Sequence, residues 1–382
     1  MPSALQGRDG RLVECGQPHP RRSRRGPPLQ TPLTDGGLPD HELGGRFGID
    51  GRLVDVRPLG RGHIHQTFLA TYREGDREPV RFLHQRLNAS VFADVDLLMA
   101  NFVRVTDNLA VRAPDARRSL RLRPAADGRP YVLDAAGAPW RTLRFIEGAR
   151  TFARFEGPAH AAEGAAVAAR LVEDLGDLAP PLPEVIPAFH DVLRRLEALE
   201  EARAVDAEGR AGECDDLVDA VLDHGDVARE VAAARSDGRL PERTVHNDPK
   251  TENILFDEAT GEGLCLVDLD TVGPGTVLFD VGDLVRSGAT ALPEDGDPYA
   301  LTVDPDLVAA VLDAYARAGA GFLTPSEVDL LPRAGPLMAL ESAARFLTDH
   351  LQGDVYFRIE EPGHNLRRAR NQLRLLELLQ AG

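Results

Sequence analysis

The sequence predicts an α+β fold in two unequal lobes, a small antiparallel β lobe with one helix followed by a larger, mostly helical lobe. Three observations carry this. Between Arg52 and Gly148, short runs rich in β-branched and aromatic residues alternate with glycine-containing turns. From His160 onward, apolar residues recur at helical spacing. No apolar run reaches the ~18 residues of a membrane span. The 382 residues, 43% hydrophobic and 27% charged, suit a soluble chain with more than one core.

The first 45 residues differ from the rest. They include PHPRRSRRGPPLQTPLTDGGLPD, rich in Pro, Gly and Arg and without apolar period, so residues 1–45 are expected to be a disordered arm or sequence upstream of the native start. Paired arginines can mark an export signal, but no apolar segment follows them here. Order is expected from Phe47. RLVDVRPLG reads as a strand, and RGHIHQTFLATY as a glycine turn entering a second. EGDREP is a turn, and VRFLHQRLN a third strand. In VFADVDLLMANFVRVTDNLA, residues Val91, Val95, Leu98, Met99, Phe102, Val105 and Leu109 recur at spacings of one, three and four, which predicts a helix. RSLRLRPAADGRPYVLDAAGAPWRTLRFIEG reads as two or three further strands joined at DG and AG turns. About five strands and one helix thus form a lobe spanning 46–148.

The second lobe spans 149–382. HAAEGAAVAARLVEDL, FHDVLRRLEALEEA and DDLVDAVLDHGDVAREVAAA are helix candidates. ILFD and LCLVDLD form a hairpin over EATGEG. Helices resume at Asp280, at 305–319, 326–351 and 364–380. Ligands often bind between two such lobes, with RFIEG at the crossing. The net charge of −17 repels nucleic acid and anionic membranes, so neither is an expected partner, and no required protein partner is evident. Cys15, Cys214 and Cys265 lie far apart with no CxxC, so neither a zinc site nor a disulfide framework is expected; this fits a reducing cytoplasm.

The chemistry concentrates in TVHNDPKTENILFD, which holds Lys250, the only lysine among 44 Lys+Arg residues. His246, Asp248 and Asn253 form H-x-D-x-x-x-x-N, and the strand LCLV then delivers Asp268 and Asp270. Phosphoryl transfer from ATP needs these parts. A carboxylate must orient the attacking hydroxyl and take its proton, and Asp248 is the expected base. Mg²⁺ is a hard cation that takes oxygen ligands, so Asn253 and Asp268 are expected on the metal, with Asp270 as a second-site or water-mediated ligand. Lys250 brings a compact point charge into the same cleft, where a planar guanidinium fork would be bulkier. His246 is expected to brace the loop and Asp280 to anchor it. His190 reads as a helix-start or core histidine. A polar capping loop with solvated carboxylates is the plain alternative for the whole stretch.

HNDPKTENILFD, LVDLDTVGPGTVLFDVGDLVR and RFLTDHLQGDVYF resemble the aminoglycoside phosphotransferase superfamily, and within it the N-acetylhexosamine 1-kinase-like branch. The likeness runs from about Phe47 to the C-terminus and includes RFIEG, FHD and HNLRRARNQ. The resemblance implies a protein-kinase-like two-lobe fold, ATP and Mg²⁺, and transfer to a sugar hydroxyl, in that branch the anomeric one. It matches Asp248 to the base and Asn253 and Asp268 to the metal ligands. It also implies nucleotide contacts at the glycine turn, Gly60 and Gly62, and at RFIEG, with Phe145 and Glu147, where backbone groups would meet adenine.

Two departures stand out. Many kinases pair a third-strand lysine with a glutamate on the next helix; this chain has neither. Gln85-Arg86 stands there instead, read either as a phosphate contact or as surface residues. The branch usually reads GHIN where this chain has Gly62-His63-Ile64-His65, which places His65 near the substrate and leaves the acceptor open. Charged residues on apolar helices call for a partner. Asp283 and Arg286 are therefore read as sugar ligands or as an internal ion pair, and Arg345 as a sugar ligand. The leading functional expectation is a small-molecule kinase making a sugar 1-phosphate from an amino sugar or related hexose. The alternatives are a kinase of a cationic acceptor, of aminoglycoside, choline or ethanolamine type, and a non-catalytic pseudokinase binding module.

Overall fold

The computed structural model describes residues 39–60 and 64–381. It begins earlier than expected. Asp40 caps the short helix α1 (His41–Arg46) by accepting from the Leu43 backbone N–H at 2.9 Å, and Leu43 and Phe47 are buried. The last residues of the expected arm are therefore folded, because Leu43 there, with Phe47 just beyond it, finds a partner surface on the sheet. The rest of that arm, through residue 38, lies outside the described residues.

Strands β1 (Arg52–Pro58), β2 (Gln66–Arg73) and β3 (Val80–Arg86) form an antiparallel meander. Helix α2 (Val95–Arg112) follows, capped by Asp94, which accepts from Leu97 N–H. Next come β4 (Leu122–Arg123), β5 (Val132–Leu133) and β6 (Pro139–Arg144), completing a six-stranded sheet in which β6 pairs with β3, β4 and β5. The pleat sends alternate side chains to opposite faces. On the outer face Phe68 and Trp140 pack with Leu43, Phe47 and Tyr72 in a small cluster of their own. On the inner face Leu83 and Leu143 join Leu98, Phe102 and Val105 of α2 in a core that continues into the second lobe.

The chain crosses through β7 (Ala149–Arg150) into α3 (Pro158–Asp174) and α4 (Val192–Val205). The segment from 215 to 234, expected as one helix, is two, α5 (Asp215–Asp223) and α6 (Asp226–Ser236), broken at His224-Gly225. Strand β8 (Arg243–Val245) leads to the stretch His246–Asn253, and β9 (Ile254–Asp257) and β10 (Gly263–Leu266) form the expected hairpin. Strand β11 (Gly273–Gly275) pairs with β8. Helices α7 (Val277–Gly288), α8 (Pro305–Ala318), α9 (Pro325–Leu330), α10 (Ala334–Leu351) and α11 (His364–Ala381) complete the lobe. A single 3-10 turn at Leu331–Arg333, containing Pro332, splits the helix expected over 326–351. The observed architecture is the expected one, an antiparallel sheet lobe with a larger helical lobe. Among the described residues, no helix is long and apolar enough to cross a membrane.

Candidate functional site

The β8–β11 pair fixes both ends of the site. It joins the entrance of the loop holding His246 to Asn253 with the exit of the loop holding Asp268. Gly275 packs against two side chains of β8 and the first loop: an added Cβ would lie 2.5 Å from Val245 Cγ2 and 2.7 Å from Asn247 Oδ1, so a larger residue would displace them.

The first loop is held from below by α7. Asp280 is fully buried and accepts from the backbone N–H of His246 at 3.0 Å and of Asn247 at 2.8 Å. Asn247 adopts φ +65° to present both donors to one carboxylate. Burial pushes the Asp280 carboxyl up to about 6. His246 spans the two loops. Its Nδ1 accepts from Asp248 N–H, so its Nε2–H donates to the Val267 carbonyl at 2.9 Å, the neutral tautomer. Thr271 donates back to the His246 carbonyl. Both of these residues therefore serve the shape of the loop.

Asp248 keeps about a quarter of its side chain exposed (24%), and Lys250 Nζ lies 3.2 Å from its Oδ2. Desolvation raises the Asp248 carboxyl above the ordinary carboxylate value; Lys250 opposes this, and Asp283 and Asp268 reinforce it. The same Asp248 charge holds the Lys250 ammonium above its usual value against burial, so it stays protonated. Asn253 spends both amide hydrogens on Asp248, at 2.8 Å to the carbonyl and 3.3 Å to Oδ2. That orientation leaves the Asn253 side-chain oxygen, Oδ1, for another partner.

Asp268 follows β10 in the left-handed region, at φ 60° and ψ 53°. A non-glycine residue held there is strained and persists only where its surroundings fix it. Among the described residues, no hydrogen bond or ion pair engages its carboxylate. A carboxylate with no protein partner and an amide oxygen turned away from its own hydrogen bonds fit a hard divalent cation. Among the described residues, no group of three or more His, Cys, Asp or Glu is placed to hold a metal. One amide oxygen and one carboxylate suit Mg²⁺, which takes few protein ligands and completes its shell with phosphate oxygens and water.

Several expected site residues lie elsewhere or are otherwise engaged. Asp270, expected as a further metal ligand, has both oxygens taken. Arg141 donates to them at 2.5 and 2.7 Å, and His65 Nε2–H donates at 2.9 Å. Although burial would raise it, Arg141 and His65 hold this carboxyl well below the usual range. His65, expected beside the substrate, is buried and fully used, since its Nδ1 accepts from Asn88 N–H at 3.0 Å. Arg86, expected near phosphate, pairs across the sheet with Trp140 on the outer face and has Asp134 at 4.0 Å. Only Gln85 of that pair faces the cleft, accepting from Arg141 Nε at 2.8 Å. Gly60, at φ +74°, ends the first strand's turn; Gly62 and His63 lie outside the described residues. Phe145 carries the Arg81 guanidinium over its ring at 4.4 Å, and Glu147 pairs with Arg81 at the lobe crossing.

Asp283 and Arg286, expected as sugar ligands or as an internal ion pair, form a buried pair at 2.7 Å, one turn apart on α7, and Arg286 also reaches Glu294 at 3.3 Å. Their charges still reach Asp248 and Lys250. Arg345 lies among the rings of Phe189, Tyr356 and Phe357, 5.4–5.7 Å from their centres. Sequence reasoning missed the brace behind this region. His190 donates from Nε2 to the Asn247 carbonyl and from Nδ1 to Glu341, each at 2.7 Å. Burial disfavours its charge, but Glu341 and these bonds raise its pKa above the ordinary value. A lone carboxylate in the apolar run GPLMALESAARFL was the available signal.

Residues 55–328 match the profile of a family described as the phosphotransferase enzyme family. Solved structures share the fold. The microcompartment-associated aminopropanol kinase is 16% identical with a TM-score of 0.57, over 85% of this chain and 91% of that one. A spectinomycin phosphotransferase, in complex with ADP and spectinomycin, is 9% identical with a TM-score of 0.56, over 89% and 96%. An aminoglycoside phosphotransferase from Alicyclobacillus acidocaldarius is 14% identical with a TM-score of 0.54, over 85% and 90%.

Proposed function

The chain belongs to the phosphotransferase enzyme family, and from that premise we propose that it is a sugar 1-kinase of the N-acetylhexosamine 1-kinase-like kind. It is a small-molecule kinase that uses ATP and a divalent metal, and its acceptor in this reading is the anomeric hydroxyl of an amino sugar or related hexose. The sheet lobe, 46–148, holds the nucleotide, and residues 149–382 carry the catalytic loop and the acceptor site. The observation that supports it most is the Asp248–Lys250 pair at 3.2 Å, flanked by an amide and a carboxylate suited to Mg²⁺.

Asp248 accepts the proton of the attacking hydroxyl. The hydroxyl oxygen bonds to the γ-phosphorus, the bond to the β,γ-bridging oxygen breaks, and ADP leaves. Lys250 keeps a positive charge beside the transferring group. Asn253 and Asp268 would hold Mg²⁺, which when bound offsets charge on the β- and γ-phosphates. Asp283, Arg286 and Arg345 offer donors and acceptors to sugar hydroxyls. The Arg345 guanidinium already fills the space among Phe189, Tyr356 and Phe357. A quaternary or primary ammonium would have to displace it, which favours a neutral acceptor, an N-acylated amino sugar or a plain hexose, over choline, ethanolamine or an aminoglycoside.

The test is NMR of the products after incubation with ATP, Mg²⁺ and a mixed panel of sugars and amino alcohols, since it reports both acceptor and position. A hexose 1-phosphate is expected. Asp248→Asn should lower turnover by roughly 10²–10⁴-fold, the range of a positioned general base. Phosphorylation of an amino alcohol alone would overturn the sugar assignment, and unchanged turnover in the variant would remove Asp248 as base.

A further inference from the structure

This chain lacks the third-strand lysine and helix glutamate that align nucleotide and lobes in many kinases. Helix α2 instead presents Phe102 to the cleft side of the sheet, and the Arg141 guanidinium lies 4.2 Å over that ring. Arg141 is on β6 and is 1% exposed. Its Nη1 and Nη2 grip Asp270 and its Nε donates to Gln85 on β3, so it has no free edge for a phosphate. Gln85 in turn donates to Thr67 on β2. His65, whose ring stacks on Phe92 at 5.4 Å, adds the third donor to Asp270. Three strands and α2 of the sheet lobe therefore converge on one carboxylate of the other lobe, two residues past Asp268.

The placement constrains Asp268 from both sides. Upstream, Val267 donates to the Asn253 carbonyl at 2.8 Å and accepts from His246. Downstream, Asp270 is clamped by Arg141 and His65. Between these anchors Asp268 keeps its left-handed backbone with an unpartnered carboxylate. A buried ion pair is weak evidence for stability, because a well-packed apolar pair of similar volume is often as stable or more so. A bidentate guanidinium–carboxylate pair does fix geometry in a way an apolar contact does not.

We propose that Arg141 is a positioning residue: through Asp270, with His65 and Gln85 behind it, it sets the backbone at Asp268 and thereby couples the sheet lobe to the metal-binding loop. This rests on the phosphotransferase reading of the site. In it the usual lysine–glutamate pair of strand and helix gives way to an arginine on β6 and an aspartate just after β10.

The test compares the wild type with the apolar double variant Arg141→Met/Asp270→Leu and with Arg141→Lys, which keeps the charge but loses the fork. Mn²⁺ binding in the presence of a non-hydrolysable ATP analogue is followed by EPR, alongside thermal unfolding and the Mg²⁺ dependence of turnover. The double variant is expected to unfold no earlier than the wild type, yet to bind Mn²⁺ roughly 10–100-fold more weakly, the scale of losing groups that orient a metal ligand. Its Mg²⁺ requirement should rise in parallel. Wild-type Mn²⁺ affinity in the folded double variant would overturn the proposal. Should the double variant fail to fold, Arg141→Lys decides: weaker Mn²⁺ binding supports the proposal and unchanged binding overturns it. The Mn²⁺ readout needs no acceptor, so a wild type that binds Mn²⁺ and nucleotide but phosphorylates no sugar would sink the functional reading and leave this inference standing.

Discussion

At the scale of the residue, shape and charge separate in Lys250. Arginine meets nearly every other need for a cation in this chain, so charge alone does not explain a lysine there. At 3.2 Å from Asp248 Oδ2, an ammonium makes one contact and leaves the other carboxylate oxygen open, as the proposed base requires. A guanidinium in that place would engage both oxygens in a fork and occupy the base. Lys250→Arg should therefore lower kcat by about 10²-fold, the low end of what a proton-transfer group contributes, with a much smaller effect on KM for ATP. Steady-state kinetics at saturating Mg²⁺ check this, and a wild-type kcat would show that any cation serves. That Asp248, Lys250, Asn253 and Asp268 come together was legible because their spacing is local: one loop and one strand end carry them. The pairing of Arg141 and His65 with Asp270 was not, because Asp270 is distant in sequence from both: His65 was read beside the substrate, and one arginine in a strand looks like many others.

At the scale of the element, α7 carries the most consequence. Its face bearing Asp280, Asp283 and Ser287 follows the helical repeat and meets the catalytic loop three times. Asp280 takes two backbone N–H groups, Asp283 leans on Lys250 electrostatically, and Ser287 bonds Thr251 at 3.0–3.1 Å. The helix is held from behind by α10, since at Gly282 any side chain would strike Ala334 and Met338. Burial raises the Asp280 pKa from 3.8 to about 6. Between those values the folded chain keeps a proton that the unfolded chain releases. Stability from this group therefore falls as pH rises through that window and is flat above it, by on the order of 3 kcal/mol. Denaturant unfolding of the wild type and Asp280→Asn between pH 4 and 7 measures it. The wild-type advantage should shrink as pH rises, and a constant difference would mean that Asp280 does not titrate there. Helices such as α2, α3 and α11 were legible from their period; the breaks at His224-Gly225 and Pro332 were not placed, because an apolar face continues in register across them.

At the scale of the molecule, two lobes of different secondary structure were predictable from where the hydrophobic period changes. How they are joined was not, since that depends on contacts between residues more than a hundred positions apart. The structure joins them by a core running from Leu98 and Phe102 into the helical lobe and by the Arg141–Asp270 pair. A ligand seated between lobes joined in this way stabilises the whole chain and not one half. A non-hydrolysable ATP analogue with Mg²⁺, at 100 times its Kd, should add about 2.7 kcal/mol to unfolding, seen in calorimetry as one transition moved upward. Part of that gain should vanish with EDTA, because the unpartnered carboxylate at Asp268 contributes only through the ion. Asp268→Asn should show the same nucleotide-induced shift with or without Mg²⁺, and that shift should match the wild type in EDTA. If the wild type shifts equally with and without Mg²⁺, Asp268 and Asn253 do not hold a metal with the nucleotide, and the cleft works by direct contact between phosphate and protein.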